Sequence, residues 1–271
     1  MTLEEVLASP MQAPPLTRLQ CCPPTCGAAA AIVCSDEFAK KHNISKPIYI
    51  AAQSMYTDFS GSFENRSPMS IVGYDMTAAA AKEVYANAGI GPDEVDVVEL
   101  HDCFTCNELV TYEALGLTPE GTAEKFIEDG DNTYGGRIVT NPSGGLLSKG
   151  HPLGATGLAQ CAELVWQLRG EAGVRQVEGA RIGLRDDGVE DRGGEGDGLG
   201  GAHGPELELV AREGERRGAV AVAGMPRQLG HRARPEVEQV ALEGALREAL
   251  LDLHQDVGEH LAEEDRDDRG R

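Results

Sequence analysis

The chain has 271 residues, 41% of them hydrophobic, with 24 Lys and Arg against 45 Asp and Glu, a formal net charge of −21 at pH 7. Both the part before residue 167 and the part after it are net acidic, so no basic face forms, and neither nucleic acid nor an anionic membrane is an expected partner. No run approaches the roughly 18 apolar residues of a membrane span, no secretory signal is present, and seven cysteines without metal-ligand spacing point to reduced thiols and no metal.

In chain order the pattern predicts a strand over residues 27–35, a helix over 36–42 and a strand over 47–54. A helix follows over 76–88, rich in alanine and stopped by Gly89. Residues 95–100, VDVVEL, form a short β-branched run that reads as a buried strand, and 105–117 read as a helix. In 155–169, Leu158, Cys161, Ala162, Val165 and Leu168 recur at steps of three and four, which predicts another helix with Cys161 on its packed face. Alternation of this kind argues for the α/β class with a mixed or parallel sheet and covering helices.

Two stretches carry chemistry. The VDVVEL strand runs straight into His101-Asp102-Cys103-Phe104, and the carboxyl end of a strand is where open α/β sheets place a ligand crevice. Cys103 lies beside a helix start, a setting that can lower a thiol pKa toward neutrality; the plainer reading is a small buried hydrophobe. The second stretch, NPSGGLLSKGHPLGATG over 141–157, sets His151 among glycines just before a helix, whose unpaired N–H groups suit a carboxylate, a phosphate or a developing oxyanion. Its plainer reading is an ordinary turn with a solvated histidine.

HDCF, NELVTYEALGL, DNTYGG, NPSGG and SKGHPLGATGLAQCAELVWQLRGEAG, with LQCCP and GAAAAIV upstream, together resemble the thiolase family, and within it the thiolase portion of the sterol carrier protein x branch. The resemblance covers roughly residues 1–184 and implies the C-terminal half of a thiolase fold. It implies an acyltransferase that cleaves 3-oxoacyl-CoA with coenzyme A through an acyl-cysteine. In such an enzyme His151 would assist the nucleophile and hold the thioester oxygen, His101 would line the same oxyanion pocket, and Cys103 would do acid/base work. Coenzyme A enters as co-substrate with no permanently bound cofactor, and Ser143, Gly144, Gly145 and Lys149 are the expected binding residues. The family also implies a homodimer and a peroxisomal location; the chain ends Asp268-Arg269-Gly270-Arg271 instead of in an SKL-type address, which leaves the cytoplasm open. None of Cys21, Cys22, Cys26, Cys34, Cys106 or Cys161 stands in the small-residue setting of the family's nucleophile, so the chain is expected to begin after the half that carries it and to be inactive alone.

After Trp166 the composition changes. The last 105 residues lack Phe, Tyr, Trp, Cys, Lys, Asn, Ser and Thr and hold 15 of the arginines. A GC-rich message read out of frame is the expected cause, with the resemblance lost near Leu184, so that residues 185–271 form an unrelated tail and the sheet lacks its last strand. Glycines among charges predict disorder over 186–204. An apolar stripe from Val237 to Leu261 has helical spacing, for which chance amphipathicity is weighted above a partner surface. Two alternatives to an acyltransferase follow from these features: a non-catalytic acyl-CoA or lipid-binding module, and a product without function.

Overall fold

The computed structural model describes residues 1–59, 61, 64, 67–188, 206–212 and 220–222. In chain order the elements are α1 (Leu3–Leu7), β1 (Met11–Ala13), β2 (Leu16–Thr17), β3 (Val33–Cys34), α2 (Asp36–Lys41), β4 (Ile48–Met55), α3 (Pro68–Ile71) and α4 (Tyr74–Ala88). They continue with β5 (Val97–Glu99), α5 (Thr105–Ala114), α6 (Ala123–Glu128), β6 (Val139–Thr140), α7 (Gly145–Lys149), α8 (Thr156–Arg169), β7 (Ile182–Asp186), β8 (Glu206–Arg212) and β9 (Val220–Val222).

β1 and β2 form a small antiparallel ribbon, and the other strands make one mixed sheet in the order β3-β9-β4-β8-β7-β5-β6. β5 is parallel to both β6 and β7, whereas β8 is antiparallel to β7 and β4. Successive strand residues face opposite sides, and β5 shows the consequence. Val98 packs with Val84 of α4 and Tyr112 of α5, while Val97 packs with Leu164, Val165 and Leu168 of α8. Helices therefore cover both faces, and a strand buried on both sides has to be apolar throughout. Glu99, at the end of that strand, is fully buried and calls for an explanation of its own.

The expected helices and the β4 and β5 strands are present with small shifts at their ends, α4 stopping at Gly89, which adopts φ 66° as its left-handed cap. Two expectations differ from the structure. The strand foreseen over 27–35 is only Val33–Cys34, because its pairing is confined to Val222 and Ala221 of β9 and the alanine run before it has low strand propensity. The sheet foreseen to lack its last strand is instead extended: β7 continues through Leu184 to Asp186, β8 fills the place between β4 and β7, and β9 lies between β4 and β3. Leu207, Val210 and Ala211 of β8 are buried, and that apolar surface offsets the tail's unusual composition. The apolar stripe from Val237 to Leu261 and residues 189–204 lie outside the described residues.

Cys161 on α8 is partly buried, and its Sγ lies 3.7 Å from Glu208 Oε1 on β8. Burial, then the Glu208 carboxylate, pushes its thiol up to about 12, so it stays protonated and donates to that oxygen. A serine hydroxyl can make the same bond, so the buried hydroxyl is not left without an acceptor. Cys161→Ser is expected to cost less than about 1 kcal/mol in urea unfolding; a loss above twice that would show that packing of the sulfur, and not its hydrogen bond, holds α8 to β8.

Candidate active site

The two chemistry-bearing stretches meet at the carboxyl end of β5. His101 and His151 lie edge to face with ring centroids 4.9 Å apart and planes at 87°. Contacts between residues more than 40 apart in sequence create this approach. Asn141 accepts from the Leu100 N–H at 2.8 Å, the Ser143 N–H donates to Glu99 at 2.9 Å, and the Leu146 N–H donates to Asp102 at 2.6 Å. The glycine-rich loop is thus fastened onto β5 and the turn that follows it, and His151 comes with it.

A third segment completes the arrangement. Cys21 bridges Phe104 in antiparallel fashion and Pro24 bridges His151 in parallel. The Cys22 N–H donates to the Cys103 carbonyl at 2.9 Å, so residues 21–24 strap the two stretches together.

His101 is 4% exposed, and its Nδ1 is buried with no hydrogen-bond partner among the described residues. Burial, and then the neighbouring His151, push its pKa down to about 4, against an opposing pull from the Asp187 backbone. His101 is therefore neutral at ordinary pH and carries a single N–H. Gly188, at φ 57°, packs on the ring so closely that a Cβ there would lie 2.5 Å from His101 Cγ. His151 is half-buried and also lowered, by burial and then by Lys149. Its Nδ1 is 2.7 Å from Thr156 Oγ1, and that hydroxyl donates to the Pro152 carbonyl at 3.2 Å. A hydroxyl has one proton, so in the tautomer where Thr156 gives it to Pro152, Nδ1 is the donor and Nε2 keeps a lone pair. This is the tautomer of a general base.

Cys103 shows the reverse of the shift anticipated from its place before a helix. Burial outweighs the helix end, and with Cys22 and Asp102 nearby the thiol is pushed up to about 12. It carries its proton at neutral pH and suits a donor's role more than a nucleophile's.

Asp102 works as a clamp: both its oxygens accept from the first turn of α7, Leu146 at 2.6 Å and Leu147 at 3.4 Å. Glu99 holds the loop from below. It accepts from the Ser143 hydroxyl at 2.7 Å, and Lys149 Nζ lies 3.9 Å from it while donating to Ser143 Oγ at 3.1 Å. Ser143 and Lys149, expected at a coenzyme A site, are thus engaged with a buried carboxylate, and Gly144 and Gly145 take φ 98° and 58° where the loop turns into α7. The sequence did contain a sign of this, the acid Glu99 beside Val97, Val98 and Leu100 in the buried run; its partners Ser143 and Lys149, 44 and 50 residues away, left no local trace. No group of three or more metal-ligating side chains occurs among the described residues, and no described helix is long and apolar enough to cross a membrane.

Burial raises the Glu99 carboxyl from 4.5 to about 7, with Lys149 and Ser143 pulling it down in part. The folded protein therefore holds a proton at Glu99 that the unfolded chain releases above about pH 4.5. Its stabilising contribution is complete below that pH and is lost as pH rises through about 7. His101 acts oppositely, losing stability as pH falls from 6.5 towards about 4. Glu99→Gln removes only the first effect, on the order of 3 kcal/mol. Relative to the unchanged chain, this variant should therefore gain stability between pH 5 and pH 8 in urea unfolding; an equal difference at both pH values would refute the assignment.

Residues 62–189 match the family described as thiolase C-terminal domain-like. The chain is 60% identical over 185 residues to sterol carrier protein 2 of Rattus norvegicus, which covers 68% of this chain and 34% of that protein. It is 48% identical over 178 residues to the benzoylsuccinyl-CoA thiolase subunit BbsB of Thauera aromatica, covering 66% and 45%. With the acetyl-CoA acetyltransferase of Methanothermobacter thermautotrophicus the figures are 45% over 184 residues, 68% and 47%. The chain thus spans about a third to a half of the curated relatives it matches. Among solved structures, the Ltp2-ChsH2(DUF35) aldolase shares the fold with a TM-score of 0.61 at 23% identity, over 79% of this chain and 52% of that one. The sheet, its covering helices and these matches lead to one assignment: through residues 62–189 this chain belongs to the thiolase family, as a C-terminal domain-like segment of it.

Proposed function

We propose that this chain supplies the oxyanion and proton-transfer side of a thiolase-type acyltransferase site acting on 3-oxoacyl-CoA, with coenzyme A as co-substrate and no resident cofactor. The observation that carries the reading is the meeting of two neutral imidazoles, His101 and His151, with the protonated thiol of Cys103 two residues after His101 on the same strand–helix turn. In the cleavage direction a cysteine thiol loses its proton to His151 Nε2, and the thiolate attacks the 3-oxo carbon. The bond between C2 and C3 then breaks, and negative charge moves onto the thioester oxygen of the departing acetyl-CoA enolate. Imidazole N–H groups stabilise that oxygen, and Cys103 protonates the enolate carbon. Coenzyme A then gives its thiol proton to the Cys103 thiolate, its own thiolate takes the acyl group from the cysteine, and the released cysteine thiolate regains the proton held on His151. No cysteine of this chain is placed as the nucleophile in this reading, which assigns that residue to the other half of the fold. The homodimer and the peroxisomal setting belong to the same proposal, on family kinship alone.

The test is thiolysis of acetoacetyl-CoA by the purified chain and by a chimera joining it to the nucleophile-bearing half of a thiolase. The chain alone is expected to show no rate above buffer, and the chimera to turn over. Turnover by the chain alone that is abolished in His151→Ala would overturn the division of labour. Calorimetric binding of a long-chain acyl-CoA to a folded chimera that never turns over would favour a non-catalytic binding module instead.

A further inference from the structure

We propose that Cys22 and Cys103 form a reversible disulfide that joins the strap at residues 21–24 to the strand–helix turn. The pairing follows from backbone register. Cys21 is bridged to Phe104 in antiparallel sense, and the Cys22 N–H donates to the Cys103 carbonyl at 2.9 Å, so the next pair along sets Cys22 opposite Cys103. Residues directly opposite in an antiparallel pair share a face, with Cβ atoms about 4.5–5.5 Å apart, and a disulfide needs roughly 3.5–4.5 Å. A shift of about an ångström closes that gap. Cys21, the sequence neighbour, points to the opposite face of the strap. Both Cys22 and Cys103 are free thiols and only partly buried, and each lies close enough to other groups of the turn for their charges to act on it, Asp102 on Cys22 and Cys22 on Cys103.

The oxidant is a small-molecule disulfide. Cys22 gives its proton to solvent, and its thiolate attacks one sulfur of the oxidant, forming a mixed disulfide and expelling the first thiolate. Cys103 then loses its proton to solvent and attacks Cys22 Sγ, breaking the mixed disulfide and expelling the second thiolate. Both expelled thiolates are reprotonated. Two protein thiols are oxidised and one disulfide is reduced to two thiols. Burial holds both protein thiols above the ordinary thiol range, so the thiolate fraction, and with it the rate, rises about tenfold from pH 7 to pH 8. The pair is thus slow to oxidise under neutral conditions and remains available to a sustained oxidising load. The disulfide itself stands on geometry alone; its consequence, loss of the proton donor, rests on the acyltransferase reading.

The experiment is oxidation of the full chain with oxidised glutathione, alkylation of the remaining thiols, tryptic digestion and mass spectrometry. The expected product is a cross-link between the peptides spanning residues 19–40 and 83–125, formed about ten times faster at pH 8 than at pH 7 and removed by dithiothreitol. It should persist in Cys21→Ser and Cys106→Ser and vanish in Cys22→Ser and in Cys103→Ser. Absence of that cross-link from the oxidised unchanged chain, or its survival in Cys22→Ser, overturns the proposal whatever the variants do to folding. A catalytically dead chimera would count against the acyltransferase reading and leave the cross-link standing.

Discussion

His151→Ala, in a chimera that carries the nucleophile-bearing half, is expected to lower kcat by more than the factor on the order of 10² to 10³ that a single lost oxyanion donor costs. In the proposed reaction the imidazole does two things at once: its Nε2 takes the nucleophile's proton, and in its protonated form it presents an N–H to the thioester oxygen. Both depend on the Nδ1 contact to Thr156 at 2.7 Å. His101→Ala removes only a donor and should lie within that single-donor range. Neither change touches the parts of a coenzyme A thioester distant from the reacting carbons, so KM should move far less than kcat. Cys103→Ser should leave acylation by acetyl-CoA possible and slow the carbon–carbon step, because the hydroxyl is a much weaker acid than the thiol. A His151→Ala chimera within a few-fold of its parent in kcat would refute the role given to this residue.

Gly145→Ala is expected to destabilise the chain by on the order of 3 kcal/mol. Gly145 adopts φ 58°, and a Cβ there would stand 2.2 Å from Asp102 Oδ2 and 2.7 Å from Asn141 Nδ2. Both are atoms of side chains that fasten the loop to β5 and its turn, so neither can move away without releasing what it holds. The strain and the lost clamp therefore add. Gly154→Ala is the control: nothing lies within 4 Å of its added Cβ, and the change should be nearly neutral. Urea unfolding of the two variants checks the pair, and equal midpoints would show that the closeness of Asp102 to α7 is not what requires glycine at 145.

Sequence patterns were sufficient where one rule decided the outcome. The alanine-rich α4 with its Gly89 stop, the β-branched β5 and the three-and-four spacing of α8 are local signals, and the structure has each of them. His101, Cys103 and His151 were also legible, because they sit in turns at the ends of such elements. What was not legible depended on pairing between distant segments. The run 27–35 reads as a strand until one asks which neighbour it would bond to, and only Val33 and Cys34 find one. Conversely, residues 206–212 lie in a region whose composition argues against folding, yet Leu207, Val210 and Ala211 suffice to bury one strand in mid-sheet. The two readings open for the Cys103 thiol are separated for a related reason: proximity to a helix start is visible in sequence, whereas the burial that outweighs it, and favours the plainer reading, is not. Ser143 and Lys149 look like ligand-binding residues in a glycine-rich loop because Glu99, which engages them, is 44 residues from Ser143.

In the proposed function this chain provides proton transfer and oxyanion support while another half provides the nucleophile. It is tested by mass spectrometry of the acid-quenched chimera carrying Cys103→Ser after exposure to acetyl-CoA, which acylates the nucleophile before any carbon–carbon step. An acyl group is expected on the cysteine of the supplied half and none on the cysteines of this chain; an acyl group on one of those cysteines, retained when the supplied nucleophile is replaced by alanine, would overturn this division of labour.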